Sequence, residues 1–133
     1  MEAQKIQKTD YEKFVDWWKW NRFPIPPSRM LPNNGLGGLK IVSDGGIDIC
    51  AGFLFETNSG IAWIEFIVAN PDIKDKKIRH ESQIMLIANL TVEAEEKGFE
   101  AVFSSVKNPS LIKKFIEVGY TPNQTTELMI KIN

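Results

Sequence analysis

IAWIEFIVANPDIKDKKIRHES, residues Ile61 to Ser82, decides how this chain is built. Its first nine residues are apolar except Glu65, the pattern of a central strand covered on both faces. Helical periodicity then sets in from about Asp75, after a short cationic turn. Strand, turn and helix in that order is a common place to hold a phosphate. The first amides of a helix have no intrahelical partner, and its dipole favours an anion. This turn, however, contains no glycine.

Downstream, Ile84, Ile87, Ala88, Thr91 and Ala94 keep one face of the predicted helix, with Leu86 and Leu90 widening it. Gly98 is a natural stop after Lys97. EAVFSSV reads as a strand. Asn108 is placed to cap a further helix, with Pro109 at its first position. Leu111, Ile112, Phe115 and Ile116 are predicted to face the core, Gly119 to end the helix, and ELMIKI (127–132) to form a last strand.

Upstream, LKIVS, IDICAGFLFE and IAWIEFIV are three strands separated by the turns SDGG and TNSG, an antiparallel meander. QKIQK reads as a short first strand. TDYE reads as a capping box in which Thr9 and Glu12 reach each other's amides. Tyr11, Phe14, Val15 and Trp18 form an amphipathic stripe that FPIPPS must end near Asn21. The expected order is β-α-β-β-β-α-β-α-β in one domain, 1–133. The class is α+β or mixed α/β, a mostly antiparallel central sheet with helices on both faces.

The chain has 133 residues, 43% hydrophobic and 25% charged, with a net charge of −1. Such a balance suits a soluble globular domain and argues against coating nucleic acid. No apolar run approaches the roughly 20 residues that span a bilayer, and the N-terminus lacks a signal-peptide core. Cys50 is the only cysteine, which excludes an intrachain disulfide and fits a cytoplasmic location. It alternates within a strand and has no His–Asp signature, so it reads as a small buried hydrophobe. One histidine and scattered acids give no metal-ligand spacing. NNGLGG lacks the Gly-Lys-Ser/Thr of a P-loop.

The element order, with these local words, resembles the GNAT superfamily of N-acetyltransferases over nearly the whole chain. Against the family pattern V-x-P-x-x-R-x-x-G-x-G, Pro71 matches the proline, Lys74 falls on the basic position, and Lys77 and Arg79 fall on the two glycines. Against N-x-x-A-x-x-x-Y-x-x-x-G-F, the stretch NPSLIKKFIEVGY places Asn108, Gly119 and Tyr120 on matching positions. Phe115 stands where the family often has its general-acid tyrosine.

The resemblance implies acetyl-CoA as cosubstrate and an amine, on a small molecule or a protein, as acceptor. It implies no nucleic-acid or membrane partner. GNAT-like proteins often form dimers, which leaves a homodimer open. Strand amides from about Ile67, Val68 and Ala69 would hold the thioester carbonyl. Lys74, Lys76, Lys77, Arg79 and His80 would meet phosphate, and Asn108 would belong to the cofactor side. The lost glycines remove the usual close approach of backbone to anion, while the cations offer charge in exchange. A solvated basic turn is the alternative reading of those cations.

Glu65 is the only ionisable residue in its strand and shares a face with Trp63 and Ile67 by simple alternation. A carboxylate there is costly unless paired or raised in pKa, which makes it the general-base candidate; the alternative is an ion pair with a nearby Lys or Arg, or a place at a wet sheet opening. Of Trp17, Trp18 and Trp20, at least two are expected in the core and the third at a cleft or partner surface. Residues 22–38 are expected to form an acceptor-side lid. Two functions follow: an acetyl-CoA-dependent N-acetyltransferase, or a catalytically impaired binding or interaction module on the same scaffold.

Overall fold

The computed structural model describes residues 1–132. Five strands form one sheet in sequential order: β1 (Glu2–Lys5), β2 (Gly38–Val42), β3 (Asp48–Glu56), β4 (Ile61–Ala69) and β5 (Ala101–Phe103). β1 to β4 pair antiparallel; β5 pairs parallel to β4. The helices are α1 (Asp10–Trp20), α2 (Lys76–Glu96) and α3 (Pro109–Val118). Two short 3-10 turns, Ser28–Met30 and Pro32–Gly35, break the link from α1 to β2. The mixed α/β class and the mostly antiparallel sheet agree with the sequence reading. None of the helices is long and apolar enough to cross a membrane among the described residues.

Alternation along the strands separates two cores. Ile64 and Leu54 pack with Leu86, Ile87, Leu90 and Phe115 of α2 and α3. Ala51, Phe53 and Val68 pack on the other face against Phe14, Trp17 and Trp18 of α1. Trp17 and Trp18 are therefore core residues, while Trp20 is 63% exposed, with the Lys74 ammonium 5.4 Å from its ring centroid.

Several local expectations need correction. The Thr9 side chain makes no cap; the Asp10 carboxylate instead accepts from the Gln7 amide at 2.7 Å. The buried face of α2 is centred on Gln83, Leu86, Ile87, Leu90 and Ala94, and Ile84, Ala88 and Thr91 lie at its margins. Ile116 is exposed rather than in the core. The last strand does not form. Residues 120–132 carry no regular structure, and Leu128, Met129, Ile130 and Ile132 are largely exposed. Alternating apolar residues supply a strand's faces, but only a hydrogen-bonded neighbour makes a strand, and none pairs with this segment. By contrast, Asn108 caps α3 through Ser110 and Leu111 as read, and Gly119 ends it at φ 124°.

Beneath α1, a buried charge cluster ties the helix to the sheet. The Lys40 ammonium sits 3.0 Å from Asp10 and 3.1 Å from Asp48. Lys13 bridges Asp48 from the more exposed side. Burial pulls the Lys40 pKa down, but the hydrogen bonds its ammonium donates to Asp10 and Asp48, with their charges, outweigh it and hold the pKa above the usual lysine value. The raised value places this contribution to stability at all pH below the ordinary lysine range; it is lost above it. Lys40→Met strands two buried carboxylates on Lys13 alone. It is expected to lower unfolding stability by about 3–5 kcal/mol, read from the urea midpoint. The half-exposed Lys13→Met should cost clearly less; equal losses would show that burial does not set the cost.

Candidate functional site

β4 is irregular where the sequence looked most regular. Ala51 of β3 pairs with Val68, but Phe53 pairs with Glu65. Gly52 alone therefore opposes both Phe66 and Ile67, a β-bulge. Phe66 takes φ 58°, a left-handed conformation unusual for an aromatic residue and worth roughly 1–2 kcal/mol of strain. Gly52 stands opposite it in a crowded place. A Cβ there would lie 3.0 Å from the Ile67 side chain and 3.2 Å from Leu90. The bulge lies next to Ile67, Val68 and Ala69, whose amides the resemblance assigns to the carbonyl. It also keeps Phe66 on the α1 side with Val68, while Ile67 joins the α2 core.

On its other edge β4 loses its neighbour. The parallel ladder with β5 runs only from Ile61–Ala101 to Trp63–Phe103. Beyond it, the edge of β4 from Glu65 to Ala69 has no strand partner. Two short bridges span the opening: the Ser104 hydroxyl donates to the Ile64 carbonyl at 2.6 Å, and the Ser105 amide donates to Glu65 Oε1 at 2.6 Å.

Glu65 thus sits at the point where the strands part. It is half-buried, and no cation lies within ion-pair distance among the described residues. Burial pushes its pKa up. The Ser105 amide and Ser104 hydroxyl pull it part of the way back, and Glu127 pushes it up again. Its Oε1 accepts both bonds; among the described residues Oε2 accepts none, yet it is not closed off from the surface. A carboxyl raised by desolvation, held by one oxygen and open at the other, is equipped to take a proton.

The cationic turn is more committed than its composition implies. Asp75 caps α2 and accepts from the Lys77 and Ile78 amides at 2.9 and 3.2 Å. Those amides are the ones an anion would seek. Arg79 turns back, its Nη1 donating to the carbonyls of Asn70 and Ile73 and shaping the turn. His80 pairs with Glu117 at 3.0 Å, Lys74 lies over Trp20, and Lys77 stands 3.9 Å from Glu81. Lys76 is exposed. The Asn108 side-chain oxygen is spent on its own helix. The structure therefore gathers Ile67–Ala69 and Glu65 along one strand, and places the five cations around the start of α2.

Sequence reasoning missed Asp75 as a cap, although an Asp before a helical run is the ordinary signal for one. It missed Ser104 and Ser105, whose role depends on the parting of β4 and β5. It also missed Lys114, a buried lysine of α3 whose ammonium donates to Ser110 and whose pKa is lowered by burial and by nearby Arg79. Neither tyrosine substitutes for the acid absent at Phe115. Tyr120 is bound to Thr91 at 2.6 Å, and Tyr11 donates to the Pro26 carbonyl. Cys50 is fully buried with its thiol pushed up to about 12, which leaves it inert. The described residues contain no cluster of groups able to hold a metal.

No protein-family model matches the sequence, and no curated protein matches it. The fold does match solved structures. Rv2747 from Mycobacterium tuberculosis, solved with CoA and NLQ, is 13% identical with a TM-score of 0.72, over 97% of this chain and 76% of that one. AAC(6')-Iy, solved with the bisubstrate analogue CoA-S-monomethyl-acetylneamine, is 16% identical with a TM-score of 0.65, over 98% and 97%. An acetyltransferase of Trypanosoma brucei is 14% identical with a TM-score of 0.62, over 98% and 99%. At such identities it is the backbone that is alike: the chain has the GNAT fold.

Proposed function

We propose that this chain is an N-acetyltransferase that moves an acetyl group from acetyl-CoA to an amine of a small molecule or protein. The observation that carries the reading is Glu65, a half-buried, unpaired carboxylate at the mouth of the β4–β5 opening. The residues present fit the cosubstrate along β4: the unpaired edge from Glu65 to Ala69 offers backbone groups to the amides of a pantetheine arm. Amides beside the bulge polarise the thioester carbonyl. Glu65 takes the ammonium proton, directly or through water, and the freed amine attacks the carbonyl carbon. The C–S bond breaks and the thiolate leaves without a tyrosine, as a group of pKa about 8.5 can. Lys76, Lys77 and the remaining guanidinium nitrogens of Arg79 lie on the phosphate side, with Lys74 and His80 at its margin.

One observation favours the second reading, a binding module with weakened catalysis: Asp75 puts a carboxylate on the amides where the pyrophosphate would rest. The two readings separate by calorimetry with CoA. Binding at about 100 times Kd should add roughly 2.7 kcal/mol of stability. Asp75→Asn keeps an acceptor for the cap but removes the charge, and should tighten CoA binding about two- to fivefold. Lys77→Ala should weaken it, more so at low salt. No binding at millimolar CoA would sink the enzyme.

Glu65 gives a sharper test. Its raised pKa means that the folded chain holds the proton more tightly than the unfolded chain does. Stability therefore falls as pH rises from the ordinary glutamate range through the raised value. Glu65→Gln removes that loss, so the variant should be as stable as the parent or more so at pH 7. Its transfer rate should fall by about 10²–10⁴-fold. The parent rate should climb with pH on an acid limb above the ordinary glutamate range, and that limb should vanish in the variant. A variant that keeps both rate and limb removes Glu65 from the chemistry.

A further inference from the structure

Three aromatic residues stand in register across the strands beside Glu65. Phe55 pairs with Trp63, and Trp63 pairs with Phe103, so the three share one face of the sheet. Phe53 pairs with Glu65 one row along and packs under α1, which identifies that face as the α1 face. The Trp63 and Phe103 rings lie 5.1 Å apart, and the bulge brings Phe66 to 6.0 Å from Phe55. The α1 core covers this end of the sheet only in part. Phe55 and Phe66 are partly buried against it, whereas Trp63 lies outside it and Phe103 is 39% exposed.

Packing accounts for Phe55 and Phe66 but not for Trp63 and Phe103 at the wet edge. Trp63 joins neither apolar core, and Val102, the neighbour of Phe103, already supplies β5's contact with the α2 core. An exposed ring costs apolar area in water, and a row of them beside one open carboxylate oxygen is a recognition surface with a definite chemistry. The flat π faces take an aromatic or aliphatic body. The carboxylate, with Glu127 the other acid that bears on it among the described residues, takes one positive charge. A polycationic or heavily hydroxylated acceptor would leave its other polar groups against rings that offer no hydrogen bonds.

We propose that the acceptor slot is the Phe55–Trp63–Phe103 row with Glu65, and that it selects a primary monoamine carried on an apolar, preferably aromatic, body. The inference rests on the reading of Glu65 as the base for an amine acceptor, and it names the acceptor class. The ammonium lies at Glu65 Oε2 and against the Trp63 face, and the carbon body lies along the row toward Phe103.

Binding tests the slot without turnover. 2-Phenylethylammonium and ethanolammonium carry the same charge and differ in body. Titrated into the full chain by calorimetry at one pH and salt, the aryl amine should bind about tenfold more tightly, the equivalent of one good cation–π and stacking contact. Trp63→Leu keeps apolar volume but removes the π face and should erase most of that preference. Phe103→Ala, at the exposed edge, reports on the row if the Trp63 variant does not fold. In acetyl transfer, both variants should raise KM for the aryl amine while leaving kcat within about threefold. Equal binding of the two amines, or a preference that survives both substitutions, overturns the slot. A preference without any acetyl transfer upholds the slot and overturns the enzyme, so the two readings fail separately.

Discussion

The bulge in β4 is the constraint on which the rest of this structure depends. Because Gly52 must face two residues, β4 turns part-way along its length. Phe66 stays on the α1 face and Ile67 crosses to the α2 core. Backbone strain at Phe66 persists because both neighbours over-determine it: α2 presses on Gly52 through Leu86 and Leu90, and Phe66 packs on Phe55. The ladder with β5 ends at Trp63, the edge stays unpaired alongside the bulge, and Glu65 sits between the two.

Two groups of charges show how differently burial is handled in one small fold. Lys40, Asp10, Asp48 and Lys13 are neutralised by one another, and serve to fix α1 on the sheet. Glu65 is offset only by an amide and a hydroxyl. Burial outweighs those two bonds and keeps the Glu65 pKa raised, whereas a carboxylate satisfied by a cation does not need a proton. The first group is architecture. The second has the form of a working acid–base group.

The turn before α2 balances opposite demands. Its cations raise the local potential, yet Asp75 occupies the amides and Arg79 is partly spent on the turn's own carbonyls. Without glycine the turn needs such internal bonds to hold its shape, and each bond is a group withheld from a phosphate. The aromatic row at the other end of the opening is committed only in part: Phe55 packs against the α1 core, while Trp63 joins neither core and Phe103 is exposed.

Periodicity made most of the fold legible. The meander, the span of α2, the Asn108 cap and the Gly119 stop all depend on neighbours within a few residues, and the sequence states them directly. Glu65 was legible too, as a charge in an apolar strand. What failed depended on partners far along the chain. ELMIKI has a strand's alternation but finds no neighbour to pair with. Thr9 and Glu12 have a capping box's spacing, but the buried cluster takes Asp10 and starts the helix its own way. Ser104 and Ser105 matter only because β4 and β5 part beside them, and the aromatic row exists only through cross-strand register. Local sequence by itself determined which segments are helices and strands, since backbone propensity and side-chain period are short-range. Only the tertiary structure decided where the sheet opens and which groups face that opening, because register, bulge and edge arise from pairing between distant segments.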